Sequence, residues 1–210
     1  LAKAPTSLRH LAYPLAYAMA FKAGRWRSVM LICVIAPFFT SFILRTIAWR
    51  QILADESWVV GSMKFLGILP PDGRLTATAF AVVCGLTYNF LPFMVLPIYA
   101  NLERMDTRLV EAGGDLYANG PTTFLRVTLP LSMPGIVAGT LLTFIPASGD
   151  YVNSSLLGNN ATTMVGQAID RRFLVTLDYP TAASLSAILM ISILALVLVY
   201  VRRSGTEELL

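Results

Sequence analysis

Long apolar runs separated by polar stretches set the pattern of this chain. Residues 11–21, 29–49, 75–102, 131–149 and 182–201 are dominated by aliphatic and aromatic side chains and hold very few charges. A helix needs roughly 20 apolar residues to cross a bilayer, and the later runs reach or approach that length. Inside lipid every backbone N–H and C=O must be satisfied within the protein, so such runs read as helices. The pattern predicts an all-α, polytopic helical bundle of the membrane with five visible spans, forming a single domain over residues 1–210. The first run has only 11 residues, and residues 1–10 before it are polar and mixed. That first span is expected to be truncated, with an N-terminal portion lacking or residues missing between His10 and Leu11. Pro14 would then kink the visible end of a longer helix.

The interruptions carry further expectations. Lys22, Arg25 and Arg27 form a basic turn of cytoplasmic character, whereas Trp49 and Trp58 suit the opposite interface. Residues 50–74 form a polar loop whose apolar part, residues 58–69, is expected as a short interfacial helix. Residues 151–180 form a second outer loop. Pro37 interrupts the second run, and Pro92 with Pro97 is expected to break the third. Proline frees backbone carbonyls that neighbouring helices or water must satisfy, so such helices often line cavities. Gly135 and Gly139, four residues apart, offer a small-residue face for tight helix packing.

The longest polar interruption is residues 111–130, EAGGDLYANGPTTFLRVTLP. Met105, Leu109, Ala112 and Leu116 recur at helical spacing, with Arg104, Arg108, Glu111 and Asp115 in a charged stripe beside them. Asp106 or Thr107 can cap this helix, Gly120 can end it, and Pro121 suits the first turn of the next. Gly113 and Gly114 bare the backbone to another surface. On these features the segment reads as a solvated cytoplasmic loop helix, and docking to a partner is physically allowed.

Composition narrows the classes. The chain has 210 residues, 56% hydrophobic and only 13% charged, against about 25% charged in soluble domains. A net charge of +4 spread along the chain argues against nucleic acid as a partner. Cys33 and Cys84 lie inside apolar runs and read as buried thiols, and His10 has no partner that spacing identifies. The sequence contains no phosphate-binding loop of the G-x-x-x-x-G-K-[ST] type, no metal-ligand cluster and no catalytic set. Neither an enzyme nor a cofactor is expected.

A few polar residues at membrane depth remain. Asp150, beside Tyr151 and Asn153, reads either as a cation-attracting group on a substrate path or as an interfacial residue bonded to a helix end or paired with Arg45. Tyr88 and Asn89 lie mid-span, where they either bond between helices or line a path. Arg45, alone in its apolar run, would suit an anion.

Glu111-Ala112-Gly113, then Ala118, then Leu129-Pro130, resembles the EAA loop of permease subunits of binding-protein-dependent ABC importers. Gly113 stands where that pattern usually has its third alanine, and Tyr117 where it has glycine, while Leu129-Pro130 falls at the expected distance. APFFTSFILRT at residues 36–46, LPFMVLPIY at 91–99 and PASGDY at 146–151 resemble the spermidine/putrescine branch, and the likeness runs from about residue 13 to 203. The resemblance implies a type I ABC importer permease fold with six spans and a cytoplasmic coupling loop at about residues 103–130. It implies ATP-binding ABC subunits, a second homologous permease and an extracytoplasmic binding protein as partners, in a bacterial cytoplasmic membrane. ATP hydrolysis would then occur on a separate subunit. Arg108, Glu111, Ala112, Gly113, Asp115, Tyr117 and Ala118 would contact the ATPase. From their own polarity at membrane depth, not from the resemblance, Tyr88, Asn89, Asp150, Tyr151 and Asn153 are the candidates for lining a substrate path. With the loop inside, eight basic residues lie on the inner segments and six on the outer, a bias in the right direction but small. Two alternatives stay open: the same importer class with another cargo (iron, phosphonate, sulfate or thiamine), and an ATP-independent secondary transporter, for which no internal repeat is visible.

Overall fold

The computed structural model describes residues 3–106, 108–109 and 119–204. Among these residues the regular structure is entirely helical. α1 (Lys3–Tyr17) runs on through a wider π turn, Ala18–Lys22. α2 (Arg27–Ile35) is followed by a 3-10 turn, Ala36–Phe39, and then by α3 (Phe42–Ile52). α4 (Trp58–Phe65) and the long α5 (Ala79–Glu103) come next. After the segment beginning at Gly120, α6 (Met133–Ser148) leads to the short α7 (Val152–Leu157) and α8 (Val165–Asp170), and α9 (Tyr179–Ser204) closes the chain's described part.

α5 is the axis of the fold. Ala81, Val82, Leu86, Phe90, Met94, Val95, Ile98 and Leu102 are all buried along it. α1 and α6 make its most extensive contacts, and α3 and α7 close over its outer half. Half of the apolar window of α5 is buried, against 6% of that of α9. α9 exposes Ile188, Ile191, Leu194 and Leu198, a surface that lipid tails satisfy and water would not. α5 and α9 are each long and apolar enough to cross a membrane alone; two bent pairs qualify when each is counted as one span.

Several boundaries differ from those read in the sequence. The polar first ten residues already belong to α1 from Lys3 onward. Leu8, Ala12, Ala16 and Met19 form a buried stripe while Arg9 and His10 face out, so a mixed composition hides an amphipathic helix. The run 29–49 is carried by two helices bent at 99° rather than by one. Pro37 sits in the 3-10 turn, and Thr40 and Ser41 are extended (ψ 147° and 134°), which ends one helix and starts the next. α5 is not broken: Pro92 and Pro97 both lie inside a continuous 25-residue helix. Its start is set by the Thr78 hydroxyl, which accepts from the Ala81 N–H at 3.2 Å. Residues 151–180, expected as a loop, fold into α7, α8 and single turns packed on the outer end. Asp178 heads α9, accepting from the Thr181 N–H at 3.3 Å. Bonds from Thr181, with Arg172 nearby, hold its carboxyl below the usual aspartate range.

Gly135 and Gly139 do what their spacing suggested. A Cβ on Gly135 would lie 2.9 Å from the Pro97 carbonyl oxygen, and one on Gly139 3.0 Å from that of Met94. α6 therefore reaches the α5 backbone at the very stretch where the prolines sit.

Candidate functional site

Two regions carry the predicted site residues. The first is the polar stretch after α5. Asp106 opens it: its Oδ1 accepts from the backbone N–H of Arg108 at 2.9 Å. Of the two candidate caps it is the one described, since Thr107, like Glu111, Ala112, Gly113, Asp115, Tyr117 and Ala118, lies outside the described residues. Arg108 itself is helical and exposed. At the far side Asn119 caps the next turn, while the end of the preceding helix, where Gly120 was expected, lies outside the described residues. Its Oδ1 accepts from the Thr122 N–H at 3.1 Å, and Gly120 is the first residue of a turn with Pro121 in it. A short side chain whose oxygen mimics a backbone carbonyl suits this N-terminal position.

Both ends of this stretch are braced against the bundle. On the incoming side Arg27, at the start of α2, pairs with Glu103 and donates to the Tyr99 hydroxyl, its guanidinium 5.1 Å from the Tyr99 ring centre. On the outgoing side the Phe124 ring meets Tyr13 at 5.6 Å and Tyr17 at 6.0 Å, both edge-on. The Tyr13 hydroxyl and Ser132 Oγ are hydrogen-bonded at 2.9 Å. Ser132 marks the 60° bend into α6. The two ends of the stretch are thus in contact with α1, α2, α5 and the turn into α6.

The second region lies at the outer half of the bundle. Asn89 of α5, Asn153 of α7 and Thr46 of α3 are all at most 1% exposed. Asn89 Nδ2 donates to Thr46 Oγ1 at 3.2 Å and to Asn153 Oδ1 at 3.3 Å. The Asn153 side-chain amide donates to Asp150 Oδ2. Asp150 Oδ1 accepts from the backbone N–H groups of Val152 (2.8 Å) and Asn153 (3.2 Å). The network ties three helices together, and Asp150, one residue before the N-cap Tyr151, accepts from the first two backbone N–H groups of α7. Of the alternatives for Asp150, the helix-end bond is the one seen; among the described residues it has no ion pair with Arg45.

The other predicted path residues stand apart. Tyr88 takes no part in that network; it lies edge-on to Trp49 at 5.6 Å and lines a cavity of about 270 Å³ shared by α1, α2 and α5. Tyr151 is 46% exposed and outside the network. Two further residues stand in this region. Thr46 completes the network. Arg45, only 8% exposed, lays its guanidinium over Phe38 (5.4 Å) and Phe42 (5.8 Å). Phe38 in turn meets Phe93, and Phe42 meets Phe90, at 5.0 Å and 6.1 Å. The clue was the phenylalanines at 38, 42, 90 and 93, which look like ordinary core residues until the 99° bend groups them. No His/Cys/Asp/Glu group that could hold a metal occurs among the described residues. The described side chains of the site can bond, orient and stack.

The family described as binding-protein-dependent transport system inner membrane component matches residues 12–204. The chain is 37% identical over 192 residues to the spermidine/putrescine transport system permease protein PotB of Haemophilus influenzae, covering 91% of this chain and 67% of that protein. It is 37% identical over 194 residues to the protein of the same description in Escherichia coli K12, covering 92% and 70%. The inner membrane ABC transporter permease protein YdcU of Escherichia coli K12 is 32% identical over 212 residues, covering 95% and 67%.

Proposed function

This chain belongs to the family of binding-protein-dependent transport system inner membrane components, and from that premise we propose that it forms half of the pore of an ATP-driven polyamine importer. It is an ABC permease of the type I fold, a multi-pass protein of the bacterial inner membrane, and a transport subunit rather than an enzyme. The cargo we assign is spermidine and putrescine. The observation that carries it is 37% identity, over more than nine-tenths of this chain, to permeases named for those two polyamines.

In this reading a second, similar permease completes the pore, an extracytoplasmic binding protein delivers the cargo, and two ATPase subunits grip the coupling stretch. Residues 111–118, with Arg108 before them, supply the docking surface. ATP-driven closure of the ATPases pushes on that surface. The braces at Arg27–Glu103 and at Phe124–Tyr13–Tyr17 carry the push into the helices on both sides. The bends at Thr40–Ser41 and Ser132 are where the spans flex between inward and outward access. Asn89, Asn153 and Asp150 hold the outer half of the path in register, and the aromatic faces and the carboxylate beside it suit an alkyl-ammonium chain.

The test is purification of the tagged protein with its partners, followed by ATPase measurement with loaded binding protein. Hydrolysis stimulated by the putrescine- or spermidine-loaded binding protein supports the reading. Stimulation by another cargo alone removes the polyamine assignment. Glu111→Lys should abolish cargo-stimulated hydrolysis while the complex still assembles; unchanged stimulation in an assembled complex would remove the coupling role.

A further inference from the structure

We propose that Arg45 is a tethered competitor of the cargo: in this conformation its guanidinium fills an aromatic seat that a cargo ammonium group occupies during transport. The inference rests on the reading of the cargo as a polyamine. Arg45 is 8% exposed, yet its Nε and Nη1 have no hydrogen-bond partner. Among the described residues no carboxylate pairs with it. Asp150, the buried acid of the outer network, is committed to Asn153 and to the start of α7. An intramembrane cation normally takes an anion or a carbonyl as its partner. This one is held by ring faces, at 5.4 Å from Phe38 and 5.8 Å from Phe42, with Phe90 and Phe93 behind them. A cation held by aromatic faces, without an anion, marks a seat that suits alkyl-ammonium groups as a class.

The chain's layout lets the seat be emptied. Phe38 lies before the extended pair Thr40–Ser41 and Arg45 lies after it, on α3. Phe90 and Phe93 belong to α5. Turning α3 about Thr40–Ser41 withdraws the guanidinium together with Phe42 and leaves Phe38, backed by Phe93, and Phe90 in place. While Arg45 is seated the cargo cannot bind there, so apparent affinity is reduced by the fraction of time the seat is free. A cargo with two or more ammonium groups then displaces the arginine as the path opens, and the seat refills behind it, which resists back-flow.

The experiment is equilibrium binding of radiolabelled putrescine to the assembled permease–ATPase complex in lipid nanodiscs, without binding protein. Arg45→Met keeps length and removes charge. It should tighten putrescine binding by about tenfold, while Arg45→Lys, which keeps a cation, stays within about twofold of the unaltered complex. Unchanged or weaker binding by Arg45→Met overturns the proposal, as does an absence of binding in every variant. If Arg45→Met does not assemble, Phe93→Leu decides: it should weaken putrescine binding severalfold, and unchanged affinity overturns the proposal. Uptake by the unaltered complex in vesicles, driven by ATP and putrescine-loaded binding protein, tests the cargo separately. Uptake of putrescine with no effect of Arg45→Met refutes the competitor alone. Uptake only of an anion refutes the cargo reading and the competitor with it.

Discussion

Replacing Gly135 by alanine adds one methyl group to the face on which α6 meets α5. That carbon would lie 2.7 Å from Asn101 Cβ, 2.9 Å from the Pro97 carbonyl oxygen and 3.1 Å from Ile98 Cα. Comfortable carbon contacts are about 3.5–4.0 Å, so α6 must retreat by something on the order of 1 Å. Two of the three neighbours are backbone atoms of a continuous helix and cannot swing aside. Alanine does improve helix propensity by about 1 kcal/mol over glycine. Overpacking of a close interface costs about 1–3 kcal/mol, and a retreating helix also loses contact along the rest of its length. The expected net effect is destabilisation by about 1–2 kcal/mol. At Gly139 the new carbon would lie 3.0 Å from both the carbonyl oxygen and the flexible sulfur of Met94. The sulfur can move, and the third neighbour, Met94 Cα, is at a milder 3.3 Å, so Gly139→Ala should cost under about 1 kcal/mol. Gly61 in α4 has nothing within 4 Å of its added carbon, and alanine there should be neutral or stabilising by up to about 1 kcal/mol. Denaturant unfolding of the detergent-solubilised protein, read by loss of helical signal, gives the three midpoints. The order from most to least stable should be Gly61→Ala, Gly139→Ala, Gly135→Ala. Equal stability of Gly135→Ala and Gly61→Ala would refute the contact reasoning.

Two further outcomes are expected elsewhere in the fold. Asn89→Leu and Asn153→Leu should each destabilise by about 1–2 kcal/mol, because each leaves a buried polar group without its partner. A double-mutant cycle in the same unfolding assay should return a coupling of about 0.6 kcal/mol and no more than about 1.7; strict additivity would show that the two amides do not interact. At the head of α9, Asp178 is held below the usual aspartate range by its bonds from Thr181 and then by Arg172. A depressed carboxylate contributes above its unfolded pKa, and the contribution is lost as pH falls through the folded value. The amide nitrogen shift of Thr181 should therefore titrate with a midpoint below that of a free aspartate, and a midpoint at or above it would contradict the cap.

The helical membrane character was legible in the apolar runs alone, because a bilayer leaves the backbone almost no other choice. So were the ends of the principal helices, to within a few residues, and the packing role of Gly135 and Gly139. Asn89, Asp150 and Asn153 were legible as candidates because polar groups at membrane depth are conspicuous. Their assembly was not: α5 and α7 meet only once the loop between 151 and 180 has folded into helices.

What the sequence by itself determined is thus one-dimensional: which stretches are helical, which enter lipid, and which polar side chains need an explanation. Only the tertiary structure decided that Pro37 precedes a 99° bend while Pro92 and Pro97 leave α5 unbroken. It alone put Thr46 beside Asn89 and set Arg45 over Phe38 and Phe42. The physical reason is range. Helix formation answers to neighbours three or four residues away, whereas a bend, a buried hydrogen bond or a cation on a ring depends on groups that the chain brings together from tens of residues apart.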